Sequence, residues 1–223
     1  MTDTARSLNR RIAARVRELR AARRLSLDAL AGASGVSRSM ISLIERGESS
    51  PTAVVLEKLA AALGVPLASL FDAPATAPSA LRRGRRTAAP SALRRGRPAA
   101  NAQALESPVA RRRDQLQWQD PASGYRRRNV SPPDVPQPMQ IVEVEFPAGG
   151  RVAFETGARD VRVHQQVWVL EGAIDITLGS ERHRLREGDC LAMELDRPTM
   201  FHNPTRKPAR YAVVVASGVS SRR

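Results

Sequence analysis

The 223-residue sequence has a single cysteine, Cys190, so it can form neither an internal disulfide nor a cysteine-clustered zinc site. That usage points to a reducing compartment, and a cytoplasmic location is expected. No apolar run approaches the ~20 residues needed to span a bilayer. The opening MTDTARSLNRRIAARVRELR also lacks the uninterrupted apolar stretch of a secretory signal. Neither secretion nor a membrane partner is expected. Acidic residues are scarce in one place: ten Lys and Arg stand against one acidic residue in 73–113, compared with eleven against seven in 1–72 and fifteen against fourteen in 114–223.

What is present divides the chain. Hydrophobic residues make up 42% of it, enough for globular cores, but they thin out between about Ala73 and Arg113, where Ala, Pro, Gly and Arg dominate. Two small domains joined by a connector are therefore expected, with bounds of 8–72, 73–113 and 114–223. The formal net charge of +14 is concentrated in the first two segments. This suits a chain that binds a polyanion at one end, since neutralising phosphates releases condensed counterions.

Leu8, Ile12, Val16 and Leu19 recur at helical spacing between Leu8 and Leu25, with Arg on most of the opposite face. Ser26 can cap a second helix carrying Leu27, Leu30 and Ala31. Gly32 and Gly35 bracket a break, and Gly35 suits the left-handed conformation of a tight turn. Ser37 then caps a third helix that runs to Arg46 and ends at Gly47. Its Ile41 and Ile44 lie on one side, while Arg38, Ser39, Ser42, Leu43 and Arg46 share the other. Two helices of this size across a glycine turn form the unit that sets its second helix in the major groove. Pro51 and Thr52 open a fourth helix with Leu56, Leu59 and Leu63 as core positions. Leu67, Leu70 and Phe71 suggest a fifth.

The run LSLDALAGASGVSRSMISLIERGESSPTAVVLEKLAAALGVPLASLF resembles, over nearly its whole length, the DNA-binding domain of the Cro and lambda-type repressor family, also called the XRE family. Leu-Ala, Gly-Val-Ser, Ile-Glu-Arg-Gly and Leu-Ala-Ala-Ala-Leu-Gly-Val-Pro fall at that family's spacing. The resemblance implies that Arg38, Ser39, Ser42 and Leu43 face base edges and that Ser26 and the start of the second helix meet phosphate. It also implies that Arg20 pairs with Glu45 beneath the recognition helix. With Leu27, Ser37 and Arg46 these residues make the DNA-contacting set. The family often carries Gln where Leu27 stands, so a phosphate contact there falls to backbone N–H groups. A plain five-helix bundle used for protein contacts is the alternative, and Arg38 and Arg46 on the exposed face argue against it.

In the connector, APSALRRGR at 77–85 recurs unchanged at 89–97. The twelve-residue period is too short for a repeat unit with its own core, and its Pro and Gly oppose a long helix. A disordered cationic linker is expected. Arg95-Gly96-Arg97-Pro98 resembles the core of an AT-hook, so Arg94, Arg95 and Arg97 are candidates for minor-groove or phosphate contacts. The alternative is a spacer that adds only nonspecific phosphate attraction.

Beyond Gln137, IVEVEF, VWVL, AIDITL, LAMEL and YAVVVA read as short strands separated by turn signals, and imply a sandwich or barrel. The order VWVLEGAIDITLG, then HRLREGDCLAMELDRPTMFHNP, resembles the cupin family over about residues 139–217. The resemblance implies an all-β jelly-roll barrel behind the all-α five-helix domain. Cupins usually hold a metal with three His and one Glu. Anchored on Gly172, the Glu position holds Gln165, and Arg159 and Val161, or their immediate neighbours, stand at two His positions. Anchored on Asn203, the last His position holds Thr199. No metal site, cofactor or catalytic residue is therefore expected. Arg159, Val161, Gln165 and Thr199 are instead candidates to bind a small ligand, with Arg159 able to add a charge-assisted contact to an anion.

His164 and His202 sit an odd number of residues from the ligand positions and should point away, whereas His183 could face inward. Cys190 is expected to pack in the core. Trp168 has outward parity if Gln165 is inward, and an exposed aromatic there would suit a subunit interface, but core packing is the safer assumption.

The sequence thus leads to a DNA-binding transcription regulator that is not an enzyme. Its expected partners are double-stranded DNA, a second copy of the chain and a small-molecule effector. The flexible linker makes dimer geometry the expected point of coupling. The rival is a cupin metalloenzyme of the phosphonate epoxidase kind, which combines the same two domains but needs the missing His and carboxylate ligands. An antitoxin-like interaction module would want a toxin-binding tail in place of a folded barrel.

Overall fold

The computed structural model describes residues 3–71, 108–132, 139–155 and 162–217. The tandem repeat with Arg94, Arg95 and Arg97, and also Arg159 and Val161, lie outside the described residues.

Four α-helices open the chain: α1 (Asp3–Ala22), α2 (Leu27–Ser34), α3 (Arg38–Glu45) and α4 (Ala53–Ala62). The apolar stripe of α1 buries Leu8, Ile12 and Val16 against Leu30, Ile41, Ile44, Leu56 and Leu59. The helix ends at Ala22, short of Leu25. Arg24 takes a left-handed backbone (φ 56), its N–H donates to the Ala21 carbonyl (2.9 Å), and the Leu25 N–H donates to the Arg20 carbonyl (3.1 Å). This closes the helix in a Schellman turn without a glycine.

Ser26, Ser37 and Thr52 cap the next three helices, accepting from the N–H groups of Ala29, Met40 and Val55 at 3.0, 3.3 and 3.3 Å. Gly35 (φ 67) and Gly47 (φ 71) take the left-handed turns on either side of α3. The expected fifth helix is instead a 3₁₀ turn, Leu67–Phe71. Five residues following Pro66 are too few to establish an α-helical hydrogen-bond ladder. The turn still seats Ala68, Leu70 and Phe71 in the core.

A short 3₁₀ turn, Arg112–Asp114, leads into ten strands: β1 (Gln117–Gln119), β2 (Arg126–Asn129), β3 (Met139–Phe146), β4 (Arg151–Phe154), β5 (Val163–Glu171), β6 (Ala173–Leu178), β7 (Glu181–Arg186), β8 (Cys190–Glu194), β9 (Thr199–His202) and β10 (Ala209–Ser217). They form a six-stranded sheet, β1-β2-β3-β10-β5-β8, and a four-stranded sheet, β4-β9-β6-β7. The sheets meet through their inner faces, where Phe201 of β9 stacks on Tyr211 of β10 at 6.1 Å. Among the described residues the ladder does not close, so the expected barrel is a two-sheet sandwich whose edges β1, β8, β4 and β7 remain unjoined.

On β5, Val163, Val167 and Val169 are buried, while Trp168 is 51% exposed: strand parity turns it outward, and it does not pack in the core as expected. Cys190 lies opposite Trp168 in register and is exposed too, so it is not the core residue expected. The pairing fixes its side chain on the outer face.

The helical and β regions share one core. The Phe71 ring meets Trp118 edge-on at 5.7 Å, and the Arg127 guanidinium lies 5.0 Å from the centre of Phe71. The Ala53 N–H at the start of α4 donates to Asp120 Oδ1 at 2.9 Å, and Lys58 pairs with Glu155 at 2.8 Å.

Candidate nucleic-acid interface and sheet pocket

The exposed side of α3 carries Arg38, Ser39 and Met40, with Ser42 and Leu43 half-buried beside them and Arg46 exposed just past its end. Sequence reasoning passed over Met40, whose side chain is 36% exposed and accepts a hydrogen bond from the Ser49 hydroxyl at 3.7 Å. Its apolar character was the only signal, and it pointed toward the core.

Arg38 forms an ion pair with Asp28 of α2 at 3.2 Å. Arg46 donates to Ser42 Oγ at 2.5 Å and pairs with Glu48 at 2.8 Å. The hydrogen bond between Arg46 and Glu48 raises the guanidinium pKa and holds the carboxyl below its ordinary range. Ser26 and Ser37 are exposed, with Ser37 and Ser39 hydroxyls 3.3 Å apart. Leu27 is half-buried and packs on the core, so its side chain faces inward. What it offers outward is the unpaired N–H of a first helical turn.

Beneath this face, Arg20 Nε and Nη2 reach Glu45 Oε1 and Oε2 at 2.6 and 2.8 Å, and Arg20 Nη1 donates to the Leu25 carbonyl at 2.9 Å. The bidentate bond to Glu45 raises the Arg20 pKa despite partial burial. Arg17 donates to the Glu45 carbonyl. Two arginines of α1 thus fix the C-terminal end of α3, while its other polar side chains project outward.

Inside the sandwich lies a cavity of about 80 Å³, counted by where the centre of a water molecule fits. That is room for several waters or one small organic molecule. Val144, Val163, Phe201, Tyr211 and Val215 supply apolar walls; Gln165 and Thr199 bring polar groups; Leu67, Ala68 and Glu57 close one side from the helical region.

Two family models match the chain: Helix-turn-helix over residues 16–70 and Cupin domain over residues 143–215. The chain joins a helix-turn-helix domain to a cupin domain. It is 42% identical over 71 residues to the HTH-type transcriptional regulator SutR of Escherichia coli K12, a match covering 32% of this chain and 40% of that regulator. The chain therefore spans about two fifths of the length of that curated relative. A crystal structure of an HTH_3 family transcriptional regulator from Vibrio cholerae aligns with 24% identity and a TM-score of 0.65, covering 95% of this chain and 98% of that one. A crystal structure of FeII HppE aligns with 15% identity and a TM-score of 0.39, covering 93% of this chain and 99% of that one, an overlap too loose to bear on chemistry.

The cupin pocket does not suit a divalent metal. Gln165 is neutral where a carboxylate is needed. The buried Thr199 hydroxyl donates to the Arg197 carbonyl at 3.1 Å, and the residue types at 159 and 161 supply no metal donor. Among the described residues no three His, Cys, Asp or Glu side chains converge. His164 is exposed and His202 half-buried. His183 sits at the sheet margin 3.7 Å from Glu181. Among the described residues, no helix is long and apolar enough to cross a membrane.

Proposed function

We propose that the protein is a sequence-specific, DNA-binding transcription regulator of the cytoplasm. It acts as a homodimer under the control of a small molecule held in a metal-free cupin domain. The division of labour follows 8–72 for DNA, 73–113 for the linker and 114–223 for sensing and pairing. The observation that carries the reading is the capped α3, with Arg38, Ser39, Ser42 and Arg46 projecting outward after the Gly35 turn. That is the arrangement by which a recognition helix enters the major groove.

In this reading Arg38 makes a bidentate contact with guanine O6 and N7, with Ser39, Ser42 and Leu43 beside it. Ser26, Ser37 and the N–H groups from Leu27 onward meet phosphate, and Arg46 adds charge. Arg94, Arg95 and Arg97 contribute phosphate or minor-groove contacts alongside. Gln165 and Thr199, with Arg159 and Val161, form the ligand-binding set in place of a catalytic metal. Metal analysis of protein purified without chelators checks this: a stoichiometric iron, manganese or zinc signal abolished by Gln165→Ala would restore the metalloenzyme reading.

Support for pairing comes from the outer face of the six-stranded sheet. There Met139, Ile141 and Trp168 are 49%, 39% and 51% exposed, and Ala212 and Val214 lie between them in register. A second copy covering this face would set two recognition helices on one symmetric operator.

The test is selection of bound sequences from a random duplex pool, followed by gel-shift titration. Arg38→Ala should cost about 1–3 kcal/mol at the selected site and blur one base pair. Replacing Arg94, Arg95 and Arg97 by Ala should flatten the salt dependence by about 0.9 log unit for each phosphate no longer neutralised. Selection of no consensus would remove the regulator reading.

A further inference from the structure

The cupin pocket is not enclosed by the cupin domain alone. Leu67 and Ala68 of the 3₁₀ turn, together with Glu57 of α4, form part of its lining, so whatever occupies it touches the DNA-binding domain. The charges around it balance, with Glu57 and Glu155 set against Arg127 and Arg197. Glu155 is bound to Lys58 and Arg197 to Asp196, and Glu57 and Arg127, both buried, are each engaged, although Arg127 Nε and Nη2 are buried without a hydrogen-bond partner among the described residues. The Gln165 carboxamide, on a strand whose neighbouring inward residues are all valines, has no hydrogen-bond partner among the described residues. A carboxamide both donates and accepts, and it best matches a head group that does the same.

The far side of the 3₁₀ turn bears on the recognition helix through α1. The Ser69 carbonyl accepts from Arg15 Nε at 3.1 Å, and Arg17 and Arg20, further along α1, hold Glu45 at the end of α3. The seam where this turn rests on the sheet is energetically incomplete. Trp118, 5% exposed and wedged between Phe71 and Tyr125, keeps its indole N–H buried with no hydrogen-bond partner. An unmade bond of that kind weakens one seating of two surfaces relative to another.

We infer that this cavity is a two-domain site for a small, uncharged, mainly apolar molecule with one amide or hydroxyl head group. The head pairs with Gln165, and the apolar body presses on Leu67 and Ala68. Occupancy then reseats the DNA-binding domain on its own cupin domain, within a single chain. The inference rests on the effector reading above, but it places the coupling at this seam and not in dimer geometry alone. A ligand shifts the seating only by the difference in its affinity for the two arrangements, and here the difference arises because one wall moves.

The experiment reads emission in full-length protein carrying Trp168→Phe, which leaves Trp118 as the sole tryptophan of the two in the chain, and operator affinity in full-length protein that keeps Trp168. Hexanamide is the probe and hexanoate its charged counterpart. Hexanamide should shift Trp118 emission and change affinity for the selected operator by on the order of 10-fold, and Gln165→Leu should weaken both responses. Ala68→Leu, which fills the cavity from the helical side, should reproduce both changes without ligand; Ala68→Val serves if the larger residue prevents folding.

A filling variant that moves neither emission nor affinity overturns the two-domain site. Tighter binding of hexanoate than of hexanamide overturns the uncharged class. If either compound alters operator affinity while Trp118 emission stays fixed and the filling variant behaves as its parent, the effector reading stands and the seam is not the coupling element. If the protein selects no DNA, the regulator reading fails separately, and Trp118 emission still decides whether filling the cavity moves the seam.

Discussion

Arg20 and Gln165 are both long polar side chains set into hydrophobic surroundings, one in each domain, and they are treated in opposite ways. The guanidinium of Arg20 is closed on Glu45 by two bonds and on the Leu25 carbonyl by a third. The carboxamide of Gln165 faces a cavity and is bonded to nothing among the described residues. The helix-turn-helix domain satisfies its interior and turns its unmet hydrogen-bonding capacity outward, where Arg38 is paired, among the described residues, with an exposed aspartate. The cupin domain keeps unmet capacity inside. An enclosed polar group that is satisfied rigidifies a fold, whereas one left open invites a partner. The contrast separates a helical surface whose open polar groups face solvent from a cavity that keeps one inside.

The sharpest way to break the contrast is to open a polar group in the closed domain. Glu45→Ala strands Arg20 without its carboxylate and should cost about 3–5 kcal/mol in urea unfolding. A loss under 1 kcal/mol would mean that the pair is not structural.

The cupin side can be probed by pH, because the chain's only tyrosines, Tyr125 and Tyr211, are both buried there and burial pushes both phenols up. The unfolded chain releases its phenol protons near pH ~10. Stability should therefore be complete below that pH and fall as pH rises beyond it, with tyrosinate absorbance and loss of fold appearing together. Ionisation of either tyrosine in folded protein would contradict the packing.

The smallest effect concerns the outward face. Asp28→Ala removes a competitor for Arg38 and should tighten operator binding by about 0.5 kcal/mol, within the range of exposed ion pairs. Weaker binding would assign Asp28 to positioning Arg38 instead.

Much of the helical domain was legible because its signals are local. Ser26, Ser37 and Thr52 cap the helices they precede, and Gly35 and Gly47 take the turns they mark. The pairing of Arg20 with Glu45 followed from resemblance and holds in the geometry. Less local features were harder to read. A glycine-free end to α1 at Arg24 gives no compositional signal, and the 3₁₀ turn at Leu67–Phe71 shares its apolar residues with a true helix. In the sheets, the cupin resemblance placed Gln165 in the pocket, but the core packing expected of Trp168 and Cys190 was wrong, because the face each takes depends on how β5 and β8 pair. The seam was invisible for the same reason. Asp120 and Ala53 are 67 residues apart, and nothing near either one announces the other.

That last contact bears on how such a chain can be divided or recombined. The first turn of α4 takes one of its hydrogen-bond acceptors from Asp120, a carboxylate 2% exposed in the β region, and Phe71 gains its aromatic neighbour from Trp118 there. Severing the chain after residue 72 would leave a helix start short of an acceptor and an aromatic ring facing water. Grafting the helical region onto a foreign β domain would require that domain to present an acid and an indole at matching positions. Any chimera that keeps α4 and Phe71 in these surroundings must therefore carry β1 and Asp120 along with the helical region.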